Sequence, residues 1–379
     1  MFIQRAIADS IEKRIFQDNK IIILYGPRQS GKTTLVKKIL ENFSHLKILS
    51  ISGDELKYTN ILSSQDFDKL KLLVTGYDLL FLDEAQRIPN IGINLKILHD
   101  NLPDLKIIAT GSSSFDLANK IKEPLTGRTW TYTLFPISVQ ELAVKNNSFE
   151  IDQLKEQLLV FGSYPNIFSI ENINNKKQYL IELATSYLYK DVLEFAAIKH
   201  ASKIHDLLKL LAFQIGSEVS ITELALNLGI NKDTVNTYID LLEKAFVVFR
   251  LSGFSRNLRK EITKMDKIYF YDLGVRNIII ENLNFLDSRD DVGKLWENFL
   301  MIERKKHSIY NQIFSGQYFW RTYSGSELDY IEERDGKLFG YEFKYSFKKH
   351  SKAPAAWIKT YPESSFECVD QNNWQKFVI

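Results

Sequence analysis

The first part of the chain alternates short apolar runs with amphipathic stretches. Continuous apolar runs of four to six residues are typical of strands buried on both faces of a parallel sheet. Between them, apolar residues recur three and four positions apart, which predicts helices. Strands are predicted at residues 21–24, 47–51, 79–82, 105–110 and 130–134. This rhythm indicates a doubly wound α/β domain, which we place at residues 1–170.

The middle of the chain changes to a helical pattern. Apolar residues at spacings of three and four, among them Leu180, Leu183, Leu207 and Leu211, predict a helical connector over residues 171–215. Residues 220–244 then predict a helix, a turn at Gly229 and a second helix, which is a helix-turn-helix pattern. Strand-like segments at 246–251 and 267–271 follow, so we predict a winged helix over residues 216–288.

The last segment, residues 289–379, begins with an apolar helix at 293–300 and continues with a hairpin. Residues 325–331 and 338–344 have the composition of strands, and the turn between them is Arg334-Asp335-Gly336-Lys337. Polar runs near residues 172–177 and 287–291 are the expected domain boundaries.

Composition narrows the possible classes of protein. The chain has 379 residues, enough for two or three cores, and its 49 basic and 47 acidic side chains give a net charge of +2. Any contact with nucleic acid must therefore come from local patches. A single cysteine, Cys368, excludes intrachain disulfides and cysteine-rich zinc modules, and His200 and His205 do not share a helical face. The N-terminus does not resemble a signal peptide, and no apolar run approaches the ~20 residues that span a bilayer, so we expect a cytoplasmic protein without a membrane partner.

A phosphate-binding loop follows the first predicted strand. The pattern G-x-x-x-x-G-K-T lies between that strand and a helix, where backbone N–H groups and the helix N-terminus surround phosphates. Lys32 is expected to reach the β- and γ-phosphates of ATP, and Thr33 to hold Mg²⁺. The nucleotide-binding residues are predicted to be Gly26, Pro27, Arg28, Gln29, Ser30, Gly31, Lys32, Thr33, Thr34 and Thr110.

Two acids end the third predicted strand. Asp83 is expected to coordinate Mg²⁺ through water, and Glu84 to polarise the water that attacks the γ-phosphate. At the end of the next strand, the hydroxyls of Thr110 and Ser112 are candidate sensors of the γ-phosphate. Arg128 is a candidate for stabilising charge on that phosphate, in its own subunit or in a neighbour's, and an ordinary surface arginine is the alternative.

The helix-turn-helix leaves two interpretations open. Its second helix, with Asp233, Asp240 and Glu243 against Lys232 and Lys244, is net acidic and poorly suited to the major groove. The following segment is more basic and is a candidate for phosphate contacts through Arg250, Arg256, Arg259, Lys260, Lys264 and Lys267. The module therefore either binds DNA or serves as a packing or nucleotide-state module.

The C-terminal hairpin carries a third set of acids. Asp329 and Glu342 are expected to face each other across the hairpin, and Glu342 and Lys344 to project from one face. Two carboxylates that share a metal, with a lysine beside the attacking water and Glu297 completing the site, suit phosphodiester cleavage. A salt-bridged surface hairpin is the alternative. Residues 344–359 contain lysines and no acid. This face either binds a phosphate backbone or is simply solvated.

Together these motifs resemble prokaryotic AAA-type (AAA_14) ATPases with a C-terminal domain of unknown function, DUF4143. The resemblance rests on residues 26–34, 82–89, 110–114, 125–128, 326–329 and 342–344 and covers nearly the whole chain. It implies an AAA+-like P-loop NTPase core, a winged helix and a restriction-endonuclease-like α/β domain, in a bacterium or archaeon. Leu328 stands where the nuclease pattern often has proline, and Ala85 where many relatives have isoleucine.

Two functions follow from the sequence. The first is an ATP-hydrolysing protein that acts on DNA, in which nucleotide state controls a nuclease-like domain. The second is an ATP-dependent switch whose C-terminal fold is inactive and binds a protein or nucleic-acid partner. Metal-dependent cleavage of DNA separates the two, and the sequence leaves a homo-oligomer open.

Overall fold

The computed structural model describes residues 3–111, 125–185, 201–256, 265–323, 325–346 and 352–379. The chain forms two compact units, one of residues 2–136 with 244–246, and the other of residues 137–243 with 247–379. Residues 137–170, which the sequence pattern assigned to the first domain, are thus part of the second unit. Ser112, Arg259, Lys260 and Lys264 lie outside the described residues.

The first unit is built on a five-stranded parallel sheet in the order β2-β3-β4-β1-β5. Its strands are β1 (Ile21–Tyr25), β2 (Ile48–Ser52), β3 (Leu79–Asp83), β4 (Lys106–Gly111) and β5 (Thr129–Thr133). Its helices are α1 (Ala8–Gln17), α2 (Lys32–Leu40), α3 (Leu56–Leu62), α4 (Phe67–Val74) and α5 (Ile91–Asn101). The sequence pattern predicted each of these five strands to within two residues at either end.

The apolar runs become fully buried central strands. Every residue of β1 is buried, as are the first four residues of β3, because helices cover both faces of a parallel sheet. Strand β4 lies between β1 and β3, which are therefore not neighbours. The carboxyl ends of all three strands meet at one edge of the sheet, where ligands bind in open α/β folds.

The second unit begins with helices. These are α6 (Val139–Leu142), α7 (Ser148–Phe161), α8 (Ile173–Leu183), α9 (Ala201–Phe213), α10 (Ile221–Leu228), α11 (Lys232–Lys244), α12 (Leu273–Ile279) and α13 (Val292–Tyr310), followed after the intervening strands by α14 (Ala355–Thr360) and α15 (Trp374–Val378). Helices α10 and α11 lie where the sequence pattern predicted two helices joined by a turn. Gly229 allows the turn between them because it adopts φ +64°, a left-handed conformation that ends α10.

One mixed sheet of seven strands runs through the second unit, in the order β12-β11-β10-β9-β7-β8-β6. The strands are β6 (Glu218–Val219), β7 (Val248–Gly253), β8 (Asp266–Phe270), β9 (Gly316–Arg321), β10 (Glu327–Arg334), β11 (Lys337–Phe343) and β12 (Ser365–Val369). Strands β7 and β9 pair in parallel through Ser252–Tyr318 and Gly253–Phe319. The sheet therefore crosses the boundary that the sequence pattern placed at residues 288 and 289.

Helix α13 is held to this sheet by a buried ion pair. Arg304 donates to both carboxylate oxygens of Glu332, at 2.6 and 2.8 Å, and to the carbonyl of Phe377 at 2.8 Å. These contacts join α13 to β10 and to α15.

No helix within the described ranges is long and apolar enough to cross a membrane.

Candidate functional site

The phosphate-binding loop lies between β1 and α2, at the carboxyl edge of the first sheet. Two glycines make its path possible. A Cβ atom on Gly26 would stand 2.1 Å from the carbonyl oxygen of Leu134, and Gly31 begins α2 at φ +95°. The loop thus has the backbone that the sequence motif requires, with the N-terminus of α2 directly behind it.

Lys32 folds back over the loop that precedes it. The side chain is 5% exposed, and its Nζ donates to the carbonyl oxygens of Gly26 and Pro27, each at 2.9 Å. Arg5 supports the loop from outside the motif, because its guanidinium donates to the carbonyl of Ser30 at 2.7 Å and to that of Phe135. No motif in the sequence indicates this role for Arg5, which lies 25 residues before its partner in the loop.

Thr33 and Asp83 are in direct contact. The Thr33 hydroxyl donates to the Asp83 carboxylate, with distances of 2.8 and 3.1 Å to the two oxygens. These two predicted metal ligands come from α2 and β3, so the sheet order brings together residues that are 50 positions apart. A hydroxyl and a carboxylate are oxygen donors of the kind that Mg²⁺ binds, which makes the pair a chemically suitable site.

Thr110 contacts the acids. Its hydroxyl donates to Asp83 and accepts from the backbone N–H of Glu84 at 3.2 Å. The interposed strand β4 places Thr110 beside the end of β3, so its described contacts position the acid pair. Glu84 itself adopts the left-handed conformation at φ +50°, and its carboxylate accepts a hydrogen bond from the Gln86 amide. Sequence spacing did not indicate Gln86.

Arg128 lies at the opposite edge of the sheet from the phosphate-binding loop. Its carbonyl accepts from the N–H of Ile21, the first residue of β1, whereas the loop follows Tyr25 at the other end, about 13 Å away. Its guanidinium donates to both oxygens of Asp100, at 2.7 and 3.0 Å, and holds the pKa of that carboxyl at about 2. The structure does not bring Arg128 to the phosphate-binding loop of its own subunit, since parallel pairing of β5 with β1 places it at the far edge.

The acids of the C-terminal hairpin do converge. Asp329 accepts from the backbone N–H of Phe343 at 2.7 Å. Burial, then the carboxylates of Glu297 and Glu342, raise the pKa of Asp329 well above its ordinary value. Lys344 contacts Glu342 at 2.6 Å, on the face that strand alternation predicted. The fold thus brings the four predicted residues, Glu297, Asp329, Glu342 and Lys344, to one place. Glu327, which was not predicted as a site residue, joins them through Lys267. We call the four acids the carboxylate cluster: Glu297, Glu327, Asp329 and Glu342.

Lys267 enters this cluster from β8. Its Nζ lies 2.7 Å from Glu327 and 3.3 Å from Glu297, and the side chain is 3% exposed. Burial lowers the pKa of Lys267, but Glu297, Glu327 and Asp329 raise it by more, so the group stays charged. The Tyr269 hydroxyl donates to Glu297 at 2.6 Å. Burial raises the pKa of Glu297 despite these two partners.

The predicted basic wing is largely neutralised in the described residues. Arg250 contacts Asp240 at 2.7 Å and Glu243 at 2.5 Å, both on α11. Arg256 pairs with Glu333 at 3.3 Å. Lys267, predicted to contact phosphate, is instead buried in the carboxylate cluster. Charge counting along the chain does not show which acids the fold places opposite these residues. For Arg250 and Arg256 a contact with phosphate stays a prediction.

Three segments of the chain match known families. Residues 18–143 match the AAA domain, and residues 292–375 match a domain of unknown function, DUF4143. The chain carries an AAA domain and a DUF4143 domain. Residues 152–285, which include the helix-turn-helix, match another domain of unknown function, DUF8612, so that this module lies outside the DUF4143 match.

Similar proteins occur in bacteria and archaea. An uncharacterised protein of Mycobacterium tuberculosis is 27% identical over 350 residues, covering 91% of this chain and 74% of the relative. One from Methanocaldococcus jannaschii is 27% identical over 332 residues, with coverages of 78% and 72%.

Two solved structures resemble the chain weakly. For the Thermotoga maritima RuvB Holliday junction branch migration motor the TM-score is 0.34 at 19% identity, covering 66% of this chain and 90% of that one. For AMPPCP-bound DnaA from Aquifex aeolicus it is 0.30 at 15% identity, with coverages of 62% and 86%. At these TM-scores neither likeness bears on function.

Proposed function

We propose that the AAA domain binds and hydrolyses ATP. The observation that carries this proposal is the contact between Thr33 and Asp83, directly beside the loop that holds Lys32. Phosphoryl transfer depends mainly on positioning and on electrostatic stabilisation, and this arrangement supplies both. The buried Ser30 hydroxyl has no hydrogen-bond partner within the described part of the chain, which supports a ligand at the loop.

Each residue then has a defined task. Lys32, released from the carbonyls of Gly26 and Pro27, neutralises the β- and γ-phosphates. Thr33 and Asp83 would hold Mg²⁺, which offsets phosphate charge when bound. Glu84 orients the attacking water and accepts its proton. Thr110 keeps Asp83 and Glu84 in place through its single hydroxyl.

Substitution of Glu84 tests this assignment. Glu84→Gln keeps the size of the side chain but removes the base, so kcat for ATP hydrolysis should fall about 100-fold or more while ATP still binds. Lys32→Ala should instead weaken ATP binding at least about tenfold. The matched controls are Glu41→Gln and Lys37→Ala, because both side chains are exposed, Lys37 on α2 and Glu41 directly after its last residue. Unchanged turnover in Glu84→Gln would give this residue another role.

We further propose that DNA is the partner and that nucleotide state controls how the second unit engages it. The support is the order of elements: helices α10 and α11 with strands β6, β7 and β8 follow the plan of a winged helix. The hairpin of β10 and β11, with α13 and the parallel β12, suits a nuclease-like fold.

Between cleavage and binding, the geometry favours binding. Cleavage through the carboxylate cluster requires a metal ion. Among the residues that the structure describes, no group of three or more His, Cys, Asp or Glu side chains is arranged to hold one. Glu297, Glu327 and Glu342 each contact a lysine, and Asp329 accepts a backbone hydrogen bond. The proposed function is therefore an ATP-dependent switch whose second unit binds DNA without cutting it.

A further inference from the structure

We propose that the ammonium group of Lys267 occupies the carboxylate cluster in place of a metal ion, as a permanent internal cation. This deepens the proposed function, because it gives a reason why the second unit would bind without cutting. It does not depend on ATP hydrolysis by the AAA domain.

The position of Lys267 is the first support. Its Nζ bridges Glu297 on α13 and Glu327 on β10, at 3.3 and 2.7 Å. The Nζ atom also lies over the ring of Phe319, 5.4 Å from its centroid. A buried lysine is costly unless it is paired, and these contacts supply its partners.

The contrast with Lys344 is the second support. Lys344 also contacts a cluster acid, but its side chain is 49% exposed and its partner Glu342 is 17% exposed, whereas the Lys267 side chain is 3% exposed. Lys344 therefore sits at the rim and Lys267 inside. A lysine ammonium has three donors and no acceptor, so it repels a divalent ion and offers it no ligand.

The origin of the lysine is the third support. Lys267 lies on β8, next to the helix-turn-helix, whereas Glu297 and Glu327 belong to the segment that matches DUF4143. Tyr269, two residues further along β8, also contacts Glu297, at 2.6 Å. The ion pairs of the cluster therefore connect the two segments within one sheet. They use carboxylates that would bind a metal ion in a nuclease.

Removing the ammonium should create a metal site. Lys267→Met keeps the length of the side chain but leaves the carboxylates without their cation. Carboxylate oxygens are the ligands that hard divalent metal ions prefer. We would titrate nucleotide-free protein with Mn²⁺ and follow free Mn²⁺ by electron paramagnetic resonance, in a Thr33→Ala, Asp83→Asn background that removes both proposed metal ligands of the AAA domain.

The expected result has three parts. The protein with Lys267 shows no Mn²⁺ site tighter than about 1 mM, and Lys267→Met gains one at least about tenfold tighter. Addition of Asp329→Asn abolishes the gain. Lys344→Met, which leaves the internal ammonium in place, gains little or nothing.

Two results would overturn the proposal. One is Mn²⁺ binding in the presence of Lys267 that Asp329→Asn removes. The other is a folded Lys267→Met protein that gains no site. If Lys267→Met does not fold, Lys267→Gln replaces it, since the amide keeps hydrogen-bond donors without the charge. The titration of protein that retains Lys267 tests the proposal independently of either variant. Loss of ATPase activity in other variants would leave these results unchanged.

Discussion

Thr110 shows how a single hydroxyl sets the geometry of a reaction centre. It donates to Asp83 and accepts from the N–H of Glu84, so it fixes both acids at the end of β3. Thr110→Val has nearly the same shape but leaves the Glu84 N–H without this acceptor. We expect kcat for ATP hydrolysis to fall about tenfold, with KM little changed, because the water-orienting carboxylate is misplaced while phosphate contacts persist.

The comparison variants separate this positioning role from general destabilisation. Thr110→Ser keeps a hydroxyl and should restore most of the activity. Thr75→Val removes a hydroxyl that bonds only within an exposed helix end, so its kinetics should match the parent. If Thr110→Val hydrolyses ATP at the parent rate, the hydrogen bonds of Thr110 do not position the acids.

The positions of candidate site residues were predictable where the motif is local in sequence. Lys32 and Thr33 follow from the loop motif, because the glycines, the lysine and the helix start lie within one turn of chain. Arg128 and Lys267 depend on which strand ends lie together, and spacing alone does not contain that information. Arg128 lies at the far edge of the first sheet because β5 pairs in parallel with β1. Lys267 lies in the carboxylate cluster because the pairing of β7 with β9 brings β8 and β10 into one sheet.

At the scale of elements, the contact between α13 and β10 depends on Arg304 and Glu332. Arg304→Met leaves the 0% exposed Glu332 carboxylate without its main partner, which should destabilise the second unit by about 3–5 kcal/mol. Urea unfolding followed by tryptophan fluorescence measures this, because four of the five tryptophans, all except Trp130, lie in the second unit. The double change with Glu332→Leu should recover part of the loss. Lys69→Met, in the exposed pair with Asp66, should cost under about 0.5 kcal/mol.

The same pair gives a pH dependence with a defined sign. Burial raises the pKa of Glu332, but Arg304, together with Tyr330 and Arg334, lowers it by more, so the folded pKa lies below the ordinary value of 4.5. The pair therefore stabilises the fold above about pH 4.5, and that contribution is lost as the pH falls through the folded pKa. In Arg304→Met this acid-dependent loss should be absent. Equal pH profiles for the parent and the variant would contradict the assignment.

Helices and strands were predictable where the apolar period is clean. The strands of the first sheet are continuous apolar runs, and the turn of the C-terminal hairpin is marked by Asp335 and Gly336, both at positive φ. Strands β9 and β12 were not predicted. Strand β9 mixes polar and aromatic residues without regular alternation, and β12 alternates over only five residues. Their place in the sheet comes from pairing with β7, β10 and β11.

At the scale of the whole molecule, polar runs did not mark the limits of the compact units. The run at residues 287–291 interrupts the apolar pattern, yet the sheet continues across it because β9 pairs with β7 in parallel. Asp291 within that run contacts Arg289 and Arg276, so it is part of the fold rather than a solvated linker. A parallel pairing joins segments that are distant in the chain, and local composition does not report it.

Because the net charge is only +2, any affinity for DNA must come from local basic patches. The most basic local stretch is residues 344–359. Lys352 and Lys359 are exposed there, and α14 packs through the buried Trp357, which leaves Lys359 in solvent. If this stretch binds the phosphate backbone, Lys352→Glu and Lys359→Glu should each weaken binding and reduce the slope of log K against log salt by about 0.9 per lost phosphate contact.

Fluorescence anisotropy with labelled duplex and single-stranded DNA between about 50 and 200 mM salt measures both quantities. Lys376→Glu makes the same charge change at another exposed site of the second unit and should have a smaller effect on the slope. The labelled DNA should remain intact with Mg²⁺ or Mn²⁺, as expected for a unit whose carboxylates already hold Lys267. Equal slopes for the parent and the variants at residues 352 and 359 would place the DNA contact elsewhere, and shortened DNA would restore the cleavage hypothesis.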